Sequence, residues 1–254
     1  MSNQDKPTSA IQVIDRAVHM LDALSQYDQA VSLKYLAADT GLHPSTAFRI
    51  LGSLIAHKIV EKNETGDYQL GTRLLSWGDK VRSRMDVRTE ARPIMKWLRD
   101  EIGETVNLTT REGDEVVYIE RVISQHAIRV EQVIGSRAPL HVTAVGKLML
   151  GESGEHACHE YANRTGLPKF TRNTLTDESK LAEEIQQAIQ NGYALDNEEA
   201  EMGVGCIGVV IHDSSGAVVA GLSVSAPIER RRPEWVQFIT KAGNQLSERL
   251  GYNN

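Results

Sequence analysis

The sequence predicts an α+β protein in which a small helical unit precedes a larger unit with a mainly antiparallel sheet. Three observations lead to this fold class. Three segments of helical periodicity and a short alternating hairpin occupy residues 11–71. After Gly103, strand-like segments joined by tight turns alternate with helical ones. The 254 residues are enough for two units, each with its own hydrophobic core.

The first unit opens with three predicted helices. Residues 13–27 carry apolar side chains at helical spacing, and residues 33–40 follow Ser32, a residue type that caps helices. The third helix begins at Pro44, because proline suits the first helical position and excludes the preceding His43 from the helix.

The third helix has two unlike faces. Helical geometry places one set of residues on the side facing a core: Ala47, Ile50, Leu51, Leu54 and Lys58. The opposite side carries short residues and one cation: Ser45, Thr46, Arg49, Gly52, Ser53 and Ala56. Short residues would allow this helix to approach a DNA major groove, where Arg49 could bind a guanine or a phosphate. An ordinary helix corner in a bundle is the alternative.

A hairpin follows the third helix. Residues 57–71 alternate as two short strands around a turn at 63–66, so three helices and a hairpin predict a winged helix-turn-helix. Lys62 would contact DNA from the wing, or it is merely solvated at a sheet edge. Residues 1–84 contain ten Lys and Arg against nine Asp and Glu, a net charge of +1 that leaves −7 on the remainder. This distribution is compatible with DNA binding at one end of an acidic protein.

The second unit is predicted to mix helices and strands. Pro93 is expected to kink or start the second of its helices. The predicted helices are 74–84, 87–102, one from about 144, 155–162, 179–191 and 233–250. The predicted strands are 105–111, 115–122, 128–133, 206–212 and 218–225, the last two joined by a turn at 212–216.

Long stretches of the chain resemble the IclR family of bacterial transcriptional regulators. The resemblance covers residues 11–251 and is carried by SLKYLAADTGLHPSTAFRILGSLIAHKIVEK, ETVNLTTREGDEVVYIERV, SRAPLHVTAVGK and GYALDNEEAEMGVGCIGVVIHDSSGAVVAGLSVSAP. The last of these segments is far more specific than a helix-turn-helix alone. Family members usually place proline directly after the leucine of the turn, then a polar or basic residue. Here His43 and Pro44 stand in that order, which puts one phosphate contact in doubt.

The resemblance implies a domain organisation and a role. It implies a disordered N-terminus (1–10), a winged helix-turn-helix (11–71), a linker helix (72–86) and a GAF-like effector-binding domain (87–254). The implied protein is a ligand-responsive regulator, more often a repressor, with neither enzymatic activity nor a cofactor. It would bind double-stranded operator DNA as a homodimer or homotetramer. The candidate DNA-binding residues are His43, Ser45, Thr46, Arg49, Ser53 and Lys62.

The second unit contains candidate residues for an effector. Ser223 and Ser225 are two apart in a predicted strand, so their hydroxyls share a face. Backbone amides at the start of the helix near residue 144 could donate to an anion. The resemblance implies that a small organic acid, often an aromatic one, lies among these residues: Ala144, Val145, Gly146, Asp196, Cys206, Ser223 and Ser225. Alternatively, the serines satisfy backbone groups, Cys206 fills a core, and Asp196 belongs to a solvated acidic loop that would repel an acid unless it were protonated.

Other functions are compatible with isolated features. Cys206 could make the protein a redox sensor, or a GAF-like domain could be an enzyme with Cys206, His141 or His212, and Asp196 as a triad. His156, Cys158 and His159 suggest a metal site, but no second ligand pair accompanies them. Two cysteines are too few for a disulfide framework, and no apolar run approaches the roughly 18 residues of a membrane helix. We therefore expect a cytoplasmic protein without membrane contact.

Overall fold

The computed structural model of the chain describes residues 11–82, 84–154 and 156–252. The predicted disordered segment 1–10 lies outside the described residues. The chain divides into two compact units, the first ending at Arg84 and the second beginning at Met85.

The first unit is a winged helix-turn-helix. Its elements are α1 (Gln12–Ser25), α2 (Leu33–Asp39), α3 (Pro44–Ala56), β1 (Val60–Lys62), β2 (Tyr68–Leu70) and α4 (Arg73–Arg82). The strands β1 and β2 pair in antiparallel fashion. Gly41 follows α2 with a φ of 63°, a left-handed conformation that turns the chain towards Pro44 at the start of α3.

The core of the first unit lies between the three helices and the hairpin. Met20 of α1, Leu36 of α2 and Leu51 of α3 are completely buried in it. The predicted buried face of α3 is correct except at Lys58, which is exposed. The helix ends at Ala56, and Lys58 has a left-handed φ of 58° that directs the chain into β1.

The second unit surrounds a six-stranded antiparallel sheet of order β5-β4-β3-β8-β7-β6. The strands are β3 (Thr105–Glu112), β4 (Glu115–Val122), β5 (Arg137–Pro139), β6 (Ala194–Asn197), β7 (Val204–His212) and β8 (Val218–Pro227). The helices are α5 (Val87–Ile102), α6 (Ala144–Gly151), α7 (Ala157–Thr165), α8 (Glu178–Asn191) and α9 (Trp235–Arg249). Two short 3-10 helices, Leu140–Val142 and Ile228–Arg230, complete the described part of this unit.

The two faces of this sheet differ in chemistry. On one face, apolar side chains of β3, β7 and β8 pack against α5 and α9 in the main core: Val106, Leu108, Ile207, Val209, Leu222 and Val224. The alternate positions face α6 and are mostly polar or glycine. A Cβ atom on Gly208 or Gly221 would lie only 2.7 Å from a Val145 side-chain carbon, so these glycines allow α6 to contact the sheet closely.

Some sequence predictions for the second unit were wrong. Residues 128–133 were predicted as a strand, but residues 123–136, all of them described, form none. In this segment the carbonyls of Gln132 and Ile128 instead accept hydrogen bonds from Arg121 and Arg230, the latter over 2.8 Å. The strands β5 and β6 were not predicted. Pro93 does not start α5 but lies inside it, because the helix begins at Val87, where the Asp86 side chain accepts a hydrogen bond from Arg88 N.

Candidate functional site

The outer face of α3 presents an exposed polar surface in the first unit. Ser45, Arg49 and Ser53 are exposed and Thr46 is half-buried. The Arg49 guanidinium forms no hydrogen bond or ion pair within the described part of the chain. The three side chains Ser45, Thr46 and Arg49 therefore lie outside the core, as a groove-binding helix requires.

The start of α3 is fixed by His43. Its Nδ1 accepts hydrogen bonds from the Ser45 hydroxyl, over 2.8 Å, and from the Ser45 backbone N–H, over 3.4 Å. Because Nδ1 is an acceptor, the neutral ring carries its proton on Nε2, which remains a donor. His43 can thus cap the helix and offer one N–H to an external acceptor.

The wing, residues 60–70, contains one cation and three acidic residues. Lys62 is exposed at the end of β1, and its Nζ lies 5.2 Å from the centroid of the Tyr68 ring. Glu64 and Asp67 occupy the adjoining turn. The local net charge of the wing is therefore negative, which does not favour contact with phosphates.

A cavity of about 200 Å³ lies between α6 and the polar face of the sheet in the second unit. Five of the seven predicted effector residues line it: Ala144, Val145, Asp196, Cys206 and Ser223. Gly146 and Ser225 are not in its lining. The Gly146 amide donates to the Thr143 hydroxyl over 3.1 Å, and the Ser225 hydroxyl accepts from Asn107 Nδ2 over 3.1 Å.

The cavity offers several hydrogen-bond donors. Ala144 and Val145 are the first two residues of α6, where amides have no acceptor within their own helix. The hydroxyls of Tyr118 and Ser223 form no hydrogen bond with other described residues, and both residues line the cavity. An anionic or hydroxylated ligand could therefore satisfy unpaired donors on two sides.

Asp196 is a buried acid in this lining. Its Oδ1 accepts the Glu199 backbone N–H over 2.8 Å. Burial raises its pKa to about 6, with a further contribution from the Glu199 charge, while the Glu199 amide and the Lys147 charge oppose the rise. A neutral Asp196 would be able to donate a hydrogen bond to a ligand oxygen, so the predicted repulsion of an acid depends on pH.

A buried ion pair holds the segment that follows Asp196. Lys147 of α6 is completely buried, and its Nζ lies 2.8 and 3.0 Å from the two carboxylate oxygens of Glu199. Glu184 of α8 contributes a third contact of 3.4 Å. The acidic run that could have been a solvated loop is thus partly buried, with Glu199 only 3% exposed.

The hypothetical catalytic and metal constellations do not form. Both His141 ring nitrogens are engaged, Nδ1 by the Tyr161 hydroxyl at 2.7 Å and Nε2 by the Pro168 carbonyl at 3.1 Å. His212 stacks on Tyr252 with ring centroids 4.9 Å apart. Among the described residues there is no group of three or more His, Cys, Asp or Glu side chains that could hold a metal ion.

Sequence reasoning missed part of the cavity. Tyr118 on β4 and Phe170 in the loop after α7 both line it. Alternation along β4 places Tyr118 on the same face as Val116, but the sequence does not show that β4 lies near α6. The His141 hydrogen bonds to Tyr161 and Pro168 fix the loop that carries Phe170, and no sequence pattern indicates them.

Comparisons with known proteins agree with this architecture. Residues 13–64 match the IclR helix-turn-helix domain, and residues 79–248 match the domain described as bacterial transcriptional regulator IclR C-terminal. The chain is 32% identical over 247 residues to the HTH-type transcriptional regulator XynR of Escherichia coli, covering 95% of this chain and 98% of that protein.

Two solved structures also match. The repressor BlcR of Agobacterium tumefaciens is 27% identical, with a TM-score of 0.77, over 97% of this chain and 100% of that one. An IclR homologue from Microbacterium hydrocarbonoxydans, solved in complex with 4-hydroxybenzoate, is 25% identical with a TM-score of 0.61, over 94% and 98% of the two chains.

A winged helix-turn-helix followed by this sheet-and-helix unit defines a class of helix-turn-helix transcriptional regulators. Within that class, the chain belongs to the IclR family of bacterial transcriptional regulators. Members of this family are regulators and not enzymes, which excludes the hypothesis of a GAF-like enzyme. No described helix has both the length and the apolar character needed to cross a membrane.

Proposed function

We propose that this protein is a ligand-responsive repressor whose second unit binds a small organic acid in the cavity beside α6. One observation carries the proposal. The cavity joins the open amides at the start of α6 to unpaired hydroxyls of Tyr118 and Ser223 on the sheet. An acid ligand would satisfy both sets of donors and bring α6 and the sheet into a single binding site.

The size and chemistry of the cavity favour a small, partly apolar acid. Its volume of about 200 Å³ lies below the roughly 300–1,000 Å³ of pockets for drug-sized ligands. Val145 and Phe170 give it apolar walls, which suit an aromatic ring. The relative solved with 4-hydroxybenzoate supports testing that class of acid.

We further propose that the outer face of α3 binds operator DNA. Ser45, Thr46, Arg49 and Ser53 would face the major groove, while His43 and Lys62 would contact phosphates. One winged helix recognises few base pairs, so a homodimer or homotetramer would bind paired half-sites. The location would be the cytoplasm, where the bacterial chromosome lies, and the description of BlcR as a repressor favours repression.

A thermal-shift screen tests the effector proposal. Purified protein is heated with a panel of aromatic and aliphatic carboxylic acids that includes 4-hydroxybenzoate. A ligand at about 100 times its Kd adds roughly 2.7 kcal/mol, which raises the Tm of a unit of this size by about 5–10 °C. The Ser223→Ala variant should lose most of this shift, whereas Ser215→Ala, in the exposed β7–β8 turn, should keep it. An equal shift in both variants would place the ligand elsewhere.

A mobility-shift experiment tests DNA binding separately. The full chain is titrated against the promoter region of its own gene and against unrelated DNA at several salt concentrations. Specific binding that weakens with salt supports an operator-binding protein. Absence of any salt-dependent binding would refute the proposed DNA binding and would leave the effector proposal unaffected.

The redox alternative has less support. Burial and the nearby Asp196 charge raise the pKa of the Cys206 thiol well above its ordinary value. Oxidation by peroxide requires the thiolate, which is scarce near neutral pH when the pKa of the thiol is raised. If peroxide changed the DNA affinity of the wild type but not of Cys206→Ser, the redox hypothesis would replace the effector proposal.

A further inference from the structure

At the edge of the outer face of α3 lies Phe48, a side chain that the proposed polar contacts do not use. Phe48 is 55% exposed, although phenylalanine is usually buried. The core-facing positions of this helix are filled by Ala47, Ile50, Leu51 and Leu54. The fold therefore does not require an aromatic ring at position 48.

The neighbours of Phe48 make room for a surface to approach its ring. Ser45 and Gly52 lie three residues before and four residues after it, on adjacent turns of the same helix. A Cβ atom on Gly52 would meet nothing within 4 Å. Phe48 and Arg49 are consequently the two long side chains that project from an otherwise short-sided surface.

An apolar side chain and an arginine recognise different bases in the major groove of DNA. Among the base edges of the major groove, thymine alone presents a methyl group, and apolar side chains contact it. Arg49 can bind the O6 and N7 acceptors of guanine. Consecutive residues of an α-helix point about 100° apart, so the ends of the Phe48 and Arg49 side chains lie roughly 8 Å from each other on a helix about 10–12 Å in diameter. That distance corresponds to about two to three base-pair steps of 3.4 Å.

We infer that Phe48 is a specificity-determining residue that contacts a thymine methyl group within about three base pairs of the base recognised by Arg49. The inference rests on the proposed DNA-binding function and goes beyond it by naming a base and a chemical group. Half-sites for this protein should therefore contain an obligatory thymine within about three base pairs of the position that depends on Arg49.

Selection from random duplex DNA, followed by removal of single methyl groups, tests the inference. Sites are selected with the full-length wild type, and each thymine in the consensus is then replaced by deoxyuridine. For the wild type, one replacement should weaken binding about fourfold, the effect of one buried methyl group. Phe48→Ala should bind the thymine and deoxyuridine forms of that site equally.

Two further variants make the result decisive. Tyr35→Ala removes another exposed aromatic ring, 62% exposed on α2, and should keep the wild-type sensitivity to deoxyuridine. Phe48→Leu retains an apolar side chain and should keep part of it. Because Phe48 is largely exposed, the circular dichroism spectrum of Phe48→Ala should match that of the wild type.

Three outcomes would overturn the inference. The first is an equal deoxyuridine effect in wild type and Phe48→Ala at every thymine, and the second is no effect at any thymine. The third is a change of molecular mass in Phe48→Ala, which would indicate that the ring contacts another copy of the chain. If the wild type selects no sequence at all, the proposed DNA-binding function fails instead.

Discussion

Asp196 combines burial with a titratable group at the wall of the cavity. Its pKa of about 6 lies above the ordinary 3.8, so the folded state holds a proton that the unfolded chain has already released between these values. The contribution of Asp196 to the free energy of unfolding therefore falls by at most roughly 3 kcal/mol as pH rises from about 4 to about 6. Above pH 6 this contribution stays level. Lys147, Glu199 and Cys206 are the neighbouring groups that influence this titration.

We expect Asp196→Asn to remove this pH dependence. Urea denaturation of the wild type and the variant at pH 4, 5, 6 and 7 measures the difference in unfolding free energy. The free energy of unfolding of the variant should rise relative to that of the wild type as pH rises, because its amide oxygen still accepts the hydrogen bond from Glu199 N without a buried charge. A constant difference across the series would show that Asp196 titrates normally.

Arg49 is the residue whose replacement distinguishes base from phosphate recognition. If its guanidinium binds a guanine, Arg49→Ala should weaken operator binding by about 1–3 kcal/mol and relax preference at one base pair. Arg49→Lys keeps the charge but loses the bidentate geometry, so it should restore only the part of the affinity that comes from charge and should not restore the base preference. Equal loss on all sequences, measured on operator and mutated operator, would instead indicate a phosphate contact.

Among individual residues, the sequence predicted those whose position follows from helix or strand periodicity. The outward set of α3 and the shared face of Ser223 and Ser225 are of this kind, although only Ser223 lines the cavity, whereas Asp196 and Cys206 were implied by the resemblance. Tyr118 and the Lys147–Glu199 pair were not predicted, because they depend on which strand or loop lies next to α6. The burial of Glu199 in particular contradicts the solvation that a charge run ordinarily implies.

Among the elements, α6 shows how the cavity depends on close packing. A Cβ atom on Gly208 would lie 2.7 Å from Val145 Cγ1 and 3.0 Å from Val145 N, so an alanine there must displace the first turn of this helix. We expect Gly208→Ala to destabilise the protein by about 1–3 kcal/mol and to abolish the ligand-induced Tm shift. Scanning calorimetry of the wild type and Gly208→Ala, each with and without ligand, measures both the loss of stability and the Tm shift.

A second substitution controls for this effect. Combining Gly208→Ala with Val145→Ala removes one of the clashing side chains and should recover part of the stability. If Gly208→Ala were as stable as the wild type, the close approach of α6 would not matter.

The elements themselves were predicted unevenly. The helices and the long strands carry enough turns or alternations to establish their period. The strands β5 and β6 contain only three and four residues, too few for a pattern. The segment 128–133 has alternating apolar residues, yet Ile128 and Val133 are 75% and 65% exposed, so the alternation there does not mark a strand.

For the whole molecule, the first unit exposes apolar surface on two helices. Val13, Ile14 and Val18 of α1 and Leu75 and Val81 of α4 are each 48–70% exposed. Such residues are typical of an interface between copies of a chain. The proposed homodimer gives them a partner.

We expect Leu75→Glu combined with Val81→Glu to reduce the oligomer and to weaken operator binding by at least tenfold. Light scattering after gel filtration gives the mass, and a mobility shift gives the affinity. Tyr35→Glu places one such charge at an exposed position of α2 and should leave the mass unchanged. A double variant with wild-type mass would exclude α4 from the interface.

Along β7 and β8, consecutive residues belong alternately to the main core and to the polar face towards α6. Substitutions at the α6-facing positions other than Gly208 and Gly221 can therefore alter ligand preference while the intervening positions preserve the fold. Descendants of such a gene could acquire responses to new metabolites through a few exchanges within two strands, without first passing through unstable intermediates.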